Sequence, residues 1–365
     1  MAQERVTERL RERTTEPLTV YDLIAAELNK QKENCLNGKV VLRGDELPWE
    51  QNRQGRIRFY CHNANWHTLA APGWLSFIHD IRKHSGKHRH QGGTSLFVLE
   101  GTGYTVVNGR RFDWEAGDMI LLPVQAGGCE HQHFNLSEDG SAKWLSLIFQ
   151  WVKQAMANEV VQQEVSPDWN GLPAEREAAV RELEAVDATR QRVRQEQHSA
   201  RAAVRPAPTL LDALLEQRDR EREQLRTARM VIKGGAIEPE VNAMGIFYWY
   251  VHPHMRDVGS RITVEYVQEI PPGSRSGVQL HQGGRLHYVL QGRGHTMIDG
   301  VRHDWRAGDE ILLPIKFDGV LHQHFNDSPS EPAKLLCAEA NWYDMLGADL
   351  GSGFDMLQAC PEYRK

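Results

Sequence analysis

HQGGTSLFVLEGTGYTVVNGRRFDWEAGDMILLPVQAGGCEHQHFN, residues 90–135, returns without a gap as HQGGRLHYVLQGRGHTMIDGVRHDWRAGDEILLPIKFDGVLHQHFN, residues 281–326. Every residue of the second copy lies 191 positions after its counterpart. A looser likeness continues upstream, where VVLRG at 40–44 resembles MVIKG at 230–234. The repeated unit is therefore a whole domain, present twice.

Within each copy, short segments rich in Val, Ile, Leu, Phe and Tyr alternate with glycine turns such as Asn108-Gly109 and Asp299-Gly300. This pattern predicts antiparallel hairpins. Many short strands with regular turns are typical of a closed barrel or jelly roll. We therefore predict a mainly β fold with two jelly-roll β-barrels in tandem, an N-terminal helix and a helical insert between the barrels. The predicted division is an N-terminal helical segment 1–37, barrel one 38–150, an insert 151–228, barrel two 229–345 and a tail 346–365.

Three segments outside the repeat are rich in helix-forming residues: 18–31, 174–204 and 209–230. The last two are separated by the proline-containing stretch 205–208, which predicts two helices with a break. The leucines near the start of the third segment give it an apolar side. We expect these helices to serve as scaffolding or as contacts in a homo-oligomer.

Composition narrows the possible partners and compartments. The chain has 365 residues, 40% of them apolar and 25% charged, as in a folded globular protein. A net charge of -6 and a pI near 6.3 supply no basic field for nucleic acid. No apolar run approaches the length of a membrane span, and the first residues lack a signal-peptide pattern, so a cytoplasmic location is expected. The five cysteines are scattered and odd in number, which predicts reduced thiols.

Histidines cluster at both ends of the first repeat. His88 and His90 are two residues apart in an extended segment, so their side chains point to the same side. A third imidazole comes from His131 or His133, about forty residues later. Three neutral nitrogen ligands with open positions suit Fe(II), Mn(II), Ni(II), Cu(II) or Zn(II). The pattern favours a catalytic metal over a structural one.

At these residues the sequence resembles the cupin superfamily. The first motif of that family has a glycine, an H-x-H pair, a glutamate and a glycine, and the second has a glycine, a proline, a histidine and an asparagine. The resemblance implies metal ligands His88, His90 and His131, with His133 as the alternative third ligand. Thr94 stands where the family has its glutamate, which implies a site of histidines alone. The matching residues are Gly86, His88, His90, Gly101, Gly117, Pro123, His131 and Asn135.

The second barrel departs further from this pattern. Gln279 stands where His88 stands, and Arg285 where Thr94 stands. His281 and His322 remain of the expected set. A degenerate, structural barrel is favoured over a second metal site at Gln279, His281 and His322.

Among bicupins, the segments HRH, FVLEG and HQHFN look like the group of gentisate 1,2-dioxygenase and 1-hydroxy-2-naphthoate dioxygenase. The resemblance implies an Fe(II)-dependent oxidoreductase that opens the ring of a small hydroxylated aromatic substrate with O2. It also implies that His133 moves protons as a catalytic residue and that Gln91 and Thr94 line the substrate pocket. Leu96 occupies a position where the group typically has an arginine.

Two other classes of function use the same fold. A non-oxidative cupin, such as an isomerase, lyase or decarboxylase, would use the same ligands with Mn, Ni or Zn. A non-catalytic bicupin would bind a small molecule without turnover.

Overall fold

The computed structural model describes residues 19–125, 127–138, 140–155, 160–169, 171, 209–316, 318–346 and 354–363. The helices are α1 (Val20–Asn37), α2 (Gln150–Ala155), α3 (Leu210–Thr227) and α4 (Trp342–Leu346). The strands of the first half are β1 (Val41–Leu42), β2 (Glu50–Asn52), β3 (Gly55–Cys61), β4 (Trp74–Ile81), β5 (Lys87–His90), β6 (Thr94–Glu100), β7 (Thr102–Val107), β8 (Arg110–Glu115), β9 (Met119–Leu122), β10 (Cys129–Asn135), β11 (Ala142–Phe149) and β12 (Val161–Glu164). Those of the second half are β13 (Val231–Ile232), β14 (Glu240–Asn242), β15 (Gly245–Val251), β16 (Thr263–Ile270), β17 (Val278–His281), β18 (Leu286–Gln291), β19 (Arg293–Ile298), β20 (Val301–Arg306), β21 (Glu310–Leu312), β22 (Val320–Asn326), β23 (Ala333–Ala340) and β24 (Phe354–Gln358).

Each barrel consists of a seven-stranded and a five-stranded antiparallel sheet. In the first barrel the strand orders are β13-β9-β6-β11-β4-β3-β2 and β12-β5-β10-β7-β8. In the second they are β1-β21-β18-β23-β16-β15-β14 and β20-β19-β22-β17-β24. The mainly β, tandem-barrel fold predicted from the sequence is confirmed.

Hairpin turns join the matched strands where the sequence predicts them. Asn108 and Gly109 between β7 and β8 both have positive φ, at 48° and 78°. Asp299 and Gly300 between β19 and β20 repeat this geometry, at 49° and 83°. Two successive residues with positive φ form the tight turn whose twist matches that of the flanking strands, and Asn-Gly and Asp-Gly are its preferred pairs.

The two barrels exchange their first strands. β1 pairs with β21, with Val41 opposite Ile311, and β13 pairs with β9, with Val231 opposite Ile120. Strands β12 and β24, which follow the predicted barrel segments, extend the five-stranded sheets by pairing with β5 and β17. The domain bounds 38–150 and 229–345 stay a prediction, and the sheets of each barrel draw strands from outside them.

The largest apolar cluster lies between the barrels and contains residues from both, including Phe97, Tyr250 and Tyr288. The rings of Phe97 and Tyr250 contact edge to face at 5.4 Å. Tyr250 also donates its hydroxyl hydrogen to the Gly117 carbonyl at 2.7 Å, so its polar tip is satisfied. Because this core is shared, the two barrels are expected to unfold together.

Helices α1 and α3 begin with the same capping arrangement. Thr19 and Asp22 cap α1, and Thr209 and Asp212 cap α3, each pair exchanging backbone and side-chain hydrogen bonds. The observed helices overlap the predicted segments 18–31 and 209–230. The predicted helix at 174–204 lies outside the described residues. In the part of the chain that the structure describes, no helix has the length and apolar character needed to cross a bilayer.

Candidate metal centre

Three histidine rings converge inside the first barrel. His88 and His90 lie on β5, and His131 lies on the neighbouring strand β10 directly opposite His88. The ring of His131 is 4.2 Å from that of His88 and 4.7 Å from that of His90, measured between centroids. One nitrogen from each ring lies within 4.8 Å of the others, a spacing that allows all three to bind one metal ion.

Backbone contacts fix the orientation of two of the rings. His131 Nδ1 lies 3.1 Å from the Cys129 carbonyl oxygen, which can only accept a hydrogen bond. His131 therefore carries its proton on Nδ1 and has a free lone pair on Nε2, as metal-binding histidines commonly do. The Gly92 N–H donates to His90 Nδ1 at 2.8 Å, so His90 binds a metal through Nε2 while this bond is kept.

The third ring is held less firmly. Nδ1 of His88 is buried and makes no hydrogen bond of ordinary geometry among the described residues, although the Gly86 backbone contributes to its pKa as an acceptor. A proton on Nδ1 directed to that backbone would leave Nε2 for a metal, as in His131. The donor set therefore fits a metal ion.

Burial and mutual repulsion keep these rings neutral. Desolvation, followed by the charge of the neighbouring His131 ring, lowers the pKa of both His88 and His90 well below 6.5. Desolvation and then His133 lower the pKa of His131 in the same direction. Neutral imidazole is the form that binds metals, so the site is ready to accept a cation at neutral pH.

The histidines open onto a cavity of about 390 Å³ with mainly apolar walls. Aromatic and aliphatic side chains line it: Phe59, Phe77, Leu96, Leu122 and Trp144. Thr94 also lines the cavity, and its buried hydroxyl has no hydrogen-bond partner among the described residues. No aspartate or glutamate is found among the described residues of this lining, so the arrangement offers histidine nitrogens without a carboxylate ligand.

His133 lines the same cavity but is held apart from the group of three. Its Nδ1 lies 2.7 Å from Thr105 Oγ1, which also accepts the indole hydrogen of Trp114 at 2.9 Å. Matched residues His324, Thr296 and Trp305 repeat this chain of contacts in the second barrel, at 2.8 and 3.0 Å. The repetition indicates a packing role for the contact itself, and the catalytic role of His133 stays a prediction.

Gln91 is placed elsewhere. It follows His90 at the end of β5, and because successive side chains of an extended segment point to opposite sides, Gln91 faces away from the cavity. It lines a groove on the surface together with Val124 and Arg261. Gln91 is thus placed in this groove and not among the described residues that line the cavity, and its role in the substrate pocket stays a prediction.

Six described polar residues of the cavity escaped the sequence analysis, and two of them, His79 and Lys153, are buried titratable groups; the others are Asn52, Arg53, Gln54 and Ser146. His79, on β4, is buried against the edge of Trp144 at 4.8 Å, and burial lowers its pKa to about 4. Lys153, on α2, is 4% exposed, and burial lowers its pKa to about 8. Neither lies in a recognisable motif. For Lys153 the repeat offered a signal, because its counterpart in the second copy, Asp344, has the opposite charge.

The equivalent place in the second barrel is filled by an ion pair. Arg285, at the position of Thr94, forms a buried salt bridge with Glu339, at the position of Ile148. Arg285 Nη1 also donates to Gln279 Oε1 at 3.0 Å, and His281 Nε2 lies 3.3 Å from Glu339 Oε2. Although burial raises it, the charge of Arg285 brings the pKa of Glu339 down to about 2. Of the predicted second-site residues, Gln279 and His281 thus contact a buried guanidinium–carboxylate pair, and His322 lies buried near them.

Comparisons with known proteins agree with this geometry. A model described as the cupin domain matches residues 80–148 and 266–339. A curated 5-aminosalicylate 1,2-dioxygenase from Comamonas sp is 42% identical over 52 residues, which span 14% of this chain and 13% of that enzyme.

Solved structures of oxalate decarboxylase from Bacillus subtilis share the architecture. One, from work on the Mn(II) centres of that enzyme, is 15% identical, with a TM-score of 0.55 over 88% of this chain and 80% of that chain. Another, determined at pH 4.6, is 15% identical, with a TM-score of 0.55 over 88% and 78% of the two chains. At this identity the likeness concerns the fold. The chain therefore carries two cupin domains in tandem.

Proposed function

We propose that this protein is an Fe(II)-dependent dioxygenase that cleaves the ring of a hydroxylated aromatic compound with O2. The observation that carries the proposal is a site of three histidines without a carboxylate, opening onto an aromatic-walled cavity of about 390 Å³. The partial likeness to 5-aminosalicylate 1,2-dioxygenase supports the same reaction class.

The ligand set suits an anionic, chelating substrate. Three neutral imidazoles leave the full charge of a divalent ion uncompensated, so the site attracts phenolate and carboxylate oxygens. His88, His90 and His131 would hold the ion, and further coordination positions remain for substrate and O2. When bound, Fe(II) would supply Lewis acidity and a path for electrons between the aromatic compound and O2. Mn, Ni, Cu and Zn are the alternative metals.

The cavity walls select a flat, apolar ring. Phe77 and Trp144 contact each other at 5.9 Å between ring centroids, and Phe59 contacts Phe77 at 5.3 Å. A benzene ring that enters beside them gains aromatic contacts and leaves water.

His133 is the residue we assign to proton transfer. An indole N–H only donates, so Thr105 Oγ1 accepts from Trp114 and can direct its own hydrogen to His133 Nδ1. In that arrangement the proton of His133 is on Nε2. Burial keeps the pKa of His133 well below 6.5, so the neutral ring would hold or exchange a proton with the substrate hydroxyl.

The decisive experiment combines metal analysis with an oxygen electrode. The protein is purified without oxygen, loaded with Fe(II), and offered gentisate, 5-aminosalicylate, 1-hydroxy-2-naphthoate, catechol and oxalate. We expect about one iron per chain, as three histidine ligands imply, and oxygen uptake that depends on an aromatic substrate. Loss of a carboxylate as CO2 without oxygen uptake would instead establish a non-oxidative cupin, and binding without turnover a non-catalytic one.

We also propose that the chain forms a homo-oligomer through its helices. Leu210, Leu211 and Leu214 on α3 are 88%, 64% and 64% exposed, and Val20 on α1 is 73% exposed. Adjacent apolar side chains left in water on both capped helices are typical of subunit contacts.

A further inference from the structure

Lys153 is a buried cation without a counter-ion among the described residues. It is 4% exposed and lines the cavity of the first barrel from α2. No described carboxylate forms a salt bridge with it, and no described residue shares a hydrogen bond with its side chain. Burying an unpaired ammonium is expensive unless a partner neutralises it.

Arg285 and Asp344 provide the comparison within the described residues. Arg285, the buried cation of the second barrel, is neutralised by Glu339. Asp344, the counterpart of Lys153 in the repeat, pairs with Arg256 at the surface. Among the described residues, Lys153 thus differs from its counterpart in the repeat in charge, in burial and in having no carboxylate partner, and it faces a cavity that a ligand could enter.

The ammonium lies within electrostatic reach of the three-histidine site. Besides burial and neighbouring rings, the charge of Lys153 contributes to the lowered pKa of His88, His90 and His131 alike. Burial lowers the pKa of Lys153 to about 8, and a bound anion would favour its charged form. Leu96 and Leu122 line the same cavity without a polar group, and its described polar lining residues, among them Arg53 and Ser146, include no carboxylate.

We propose that Lys153 is the residue of this chain that anchors a carboxylate group of the substrate. The inference rests on the proposed function for the shape of the ligand. A negative oxygen beside Lys153 pairs with the ammonium, while the apolar walls surround the ring and the hydroxyl faces the histidines. Lys153 is therefore a positioning residue that sets specificity.

The test compares a charged ligand with a neutral one of the same shape. Binding of 2-hydroxybenzoate and 2-hydroxybenzamide is measured anaerobically by quenching of tryptophan fluorescence in the metal-loaded wild type, in Lys153→Met and in Lys143→Met. Lys143, at the start of β11, forms a salt bridge with Glu100 and serves as the matched control. Loss of a charged hydrogen bond predicts a drop of about 10- to 100-fold in the preference for the carboxylate in Lys153→Met, with no change in Lys143→Met.

Two further variants keep the test decisive. If Lys153→Met lowers the melting temperature strongly, Lys153→Gln replaces it, and Lys153→Arg should retain part of the preference because it restores the charge. An unchanged carboxylate preference in a folded Lys153→Met or Lys153→Gln overturns the inference.

Failure of the anchor and failure of the dioxygenase are distinguishable. A preference lost in Lys153→Met without oxygen uptake from any aromatic compound leaves the anchor standing and refutes the dioxygenase. Oxygen uptake with neutral catechols, together with an unchanged carboxylate preference in Lys153→Met, supports the dioxygenase and refutes the anchor.

Discussion

Glu310 provides a quantitative test of how the two barrels are held together. It lies on β21 of the second barrel with no exposed surface, and Ser76 Oγ on β4 of the first barrel donates to its Oε2 at 2.8 Å. The Cys61 thiol also lies 3.5 Å from Oε2, and Oε1 has no partner among the described residues. Burial raises the pKa of Glu310 from 4.5 to about 8, so the folded protein keeps this carboxyl protonated at neutral pH.

The sign of the pH dependence follows from proton counting. Between pH 4.5 and pH 8 the unfolded chain has released this proton and the folded chain has not, so the free energy of unfolding falls as pH rises. With 1.36 kcal/mol per pKa unit, Glu310 removes roughly 2–3 kcal/mol between pH 5 and pH 7, and roughly 4 kcal/mol between pH 5 and pH 9. The buried histidines act in the opposite direction. Their pKa values are lowered in the folded state, so the free energy of unfolding decreases as pH falls below their unfolded pKa of about 6.5.

Glu310→Gln isolates the contribution of this one group. The amide keeps an acceptor for Ser76 and does not titrate, but it buries an extra unsatisfied N–H, which costs about 1–3 kcal/mol at every pH. We therefore expect the variant to be less stable than the wild type at pH 5 and more stable at pH 9. Urea unfolding followed by tryptophan fluorescence at several pH values measures this difference, with the exposed Glu50→Gln as control. Parallel stability curves for the wild type and Glu310→Gln would refute the reasoning.

Three shorter predictions concern the metal site, the ion pair and the helices. His88→Ala should reduce bound metal, measured by elemental analysis, from about one per chain to near zero. His281→Ala should leave metal content and oxygen uptake unchanged. Equal loss of metal in both variants would place the site elsewhere. Arg285→Thr leaves Glu339 buried without its cation and should lower the free energy of unfolding by about 3–5 kcal/mol, while adding Glu339→Ile should restore much of it in the same urea titration. Leu211→Glu with Leu214→Glu on α3 should lower the mass seen by light scattering after size-exclusion chromatography, and Gln217→Glu, which adds charge on the same helix, should not; an unchanged mass would contradict a subunit contact at α3.

Much of the fold could be predicted because its signals are local. The Asn108-Gly109 and Asp299-Gly300 turns require positive φ, and the sequence supplies the residues that accept it. Alternation along an extended strand predicted that His88 and His90 share one side, and it also explains why Gln91 does not join them. The same local rule thus accounts for the placement of all three residues.

The features that the sequence did not predict depend on contacts between distant segments. The pairing of Val41 with Ile311 and of Val231 with Ile120 joins strands that belong to different copies of the repeat, and no local pattern encodes it. Lys153 lines the cavity from α2, the helix of six residues that directly follows β11. The sequence of so short a helix does not predict where it packs. The repeat shows that Arg285 stands at the position of Thr94, but it does not predict its partner Glu339, which lies 54 positions away.

The two barrels show how few side chains separate an open metal site from a filled core. Their backbones keep the same sheets, the same tight turns and the same Trp–Thr–His contacts. Gln279 replaces the ligand His88, and the pair of Arg285 and Glu339 replaces Thr94 and Ile148. In the second barrel the guanidinium of Arg285, neutralised by Glu339, fills the place that a metal ion would take in the first barrel. Among the described residues the first barrel has the converse arrangement, with three neutral rings and an ammonium, Lys153, that has no carboxylate partner. Once a metal binds, an anionic substrate would neutralise this positive charge.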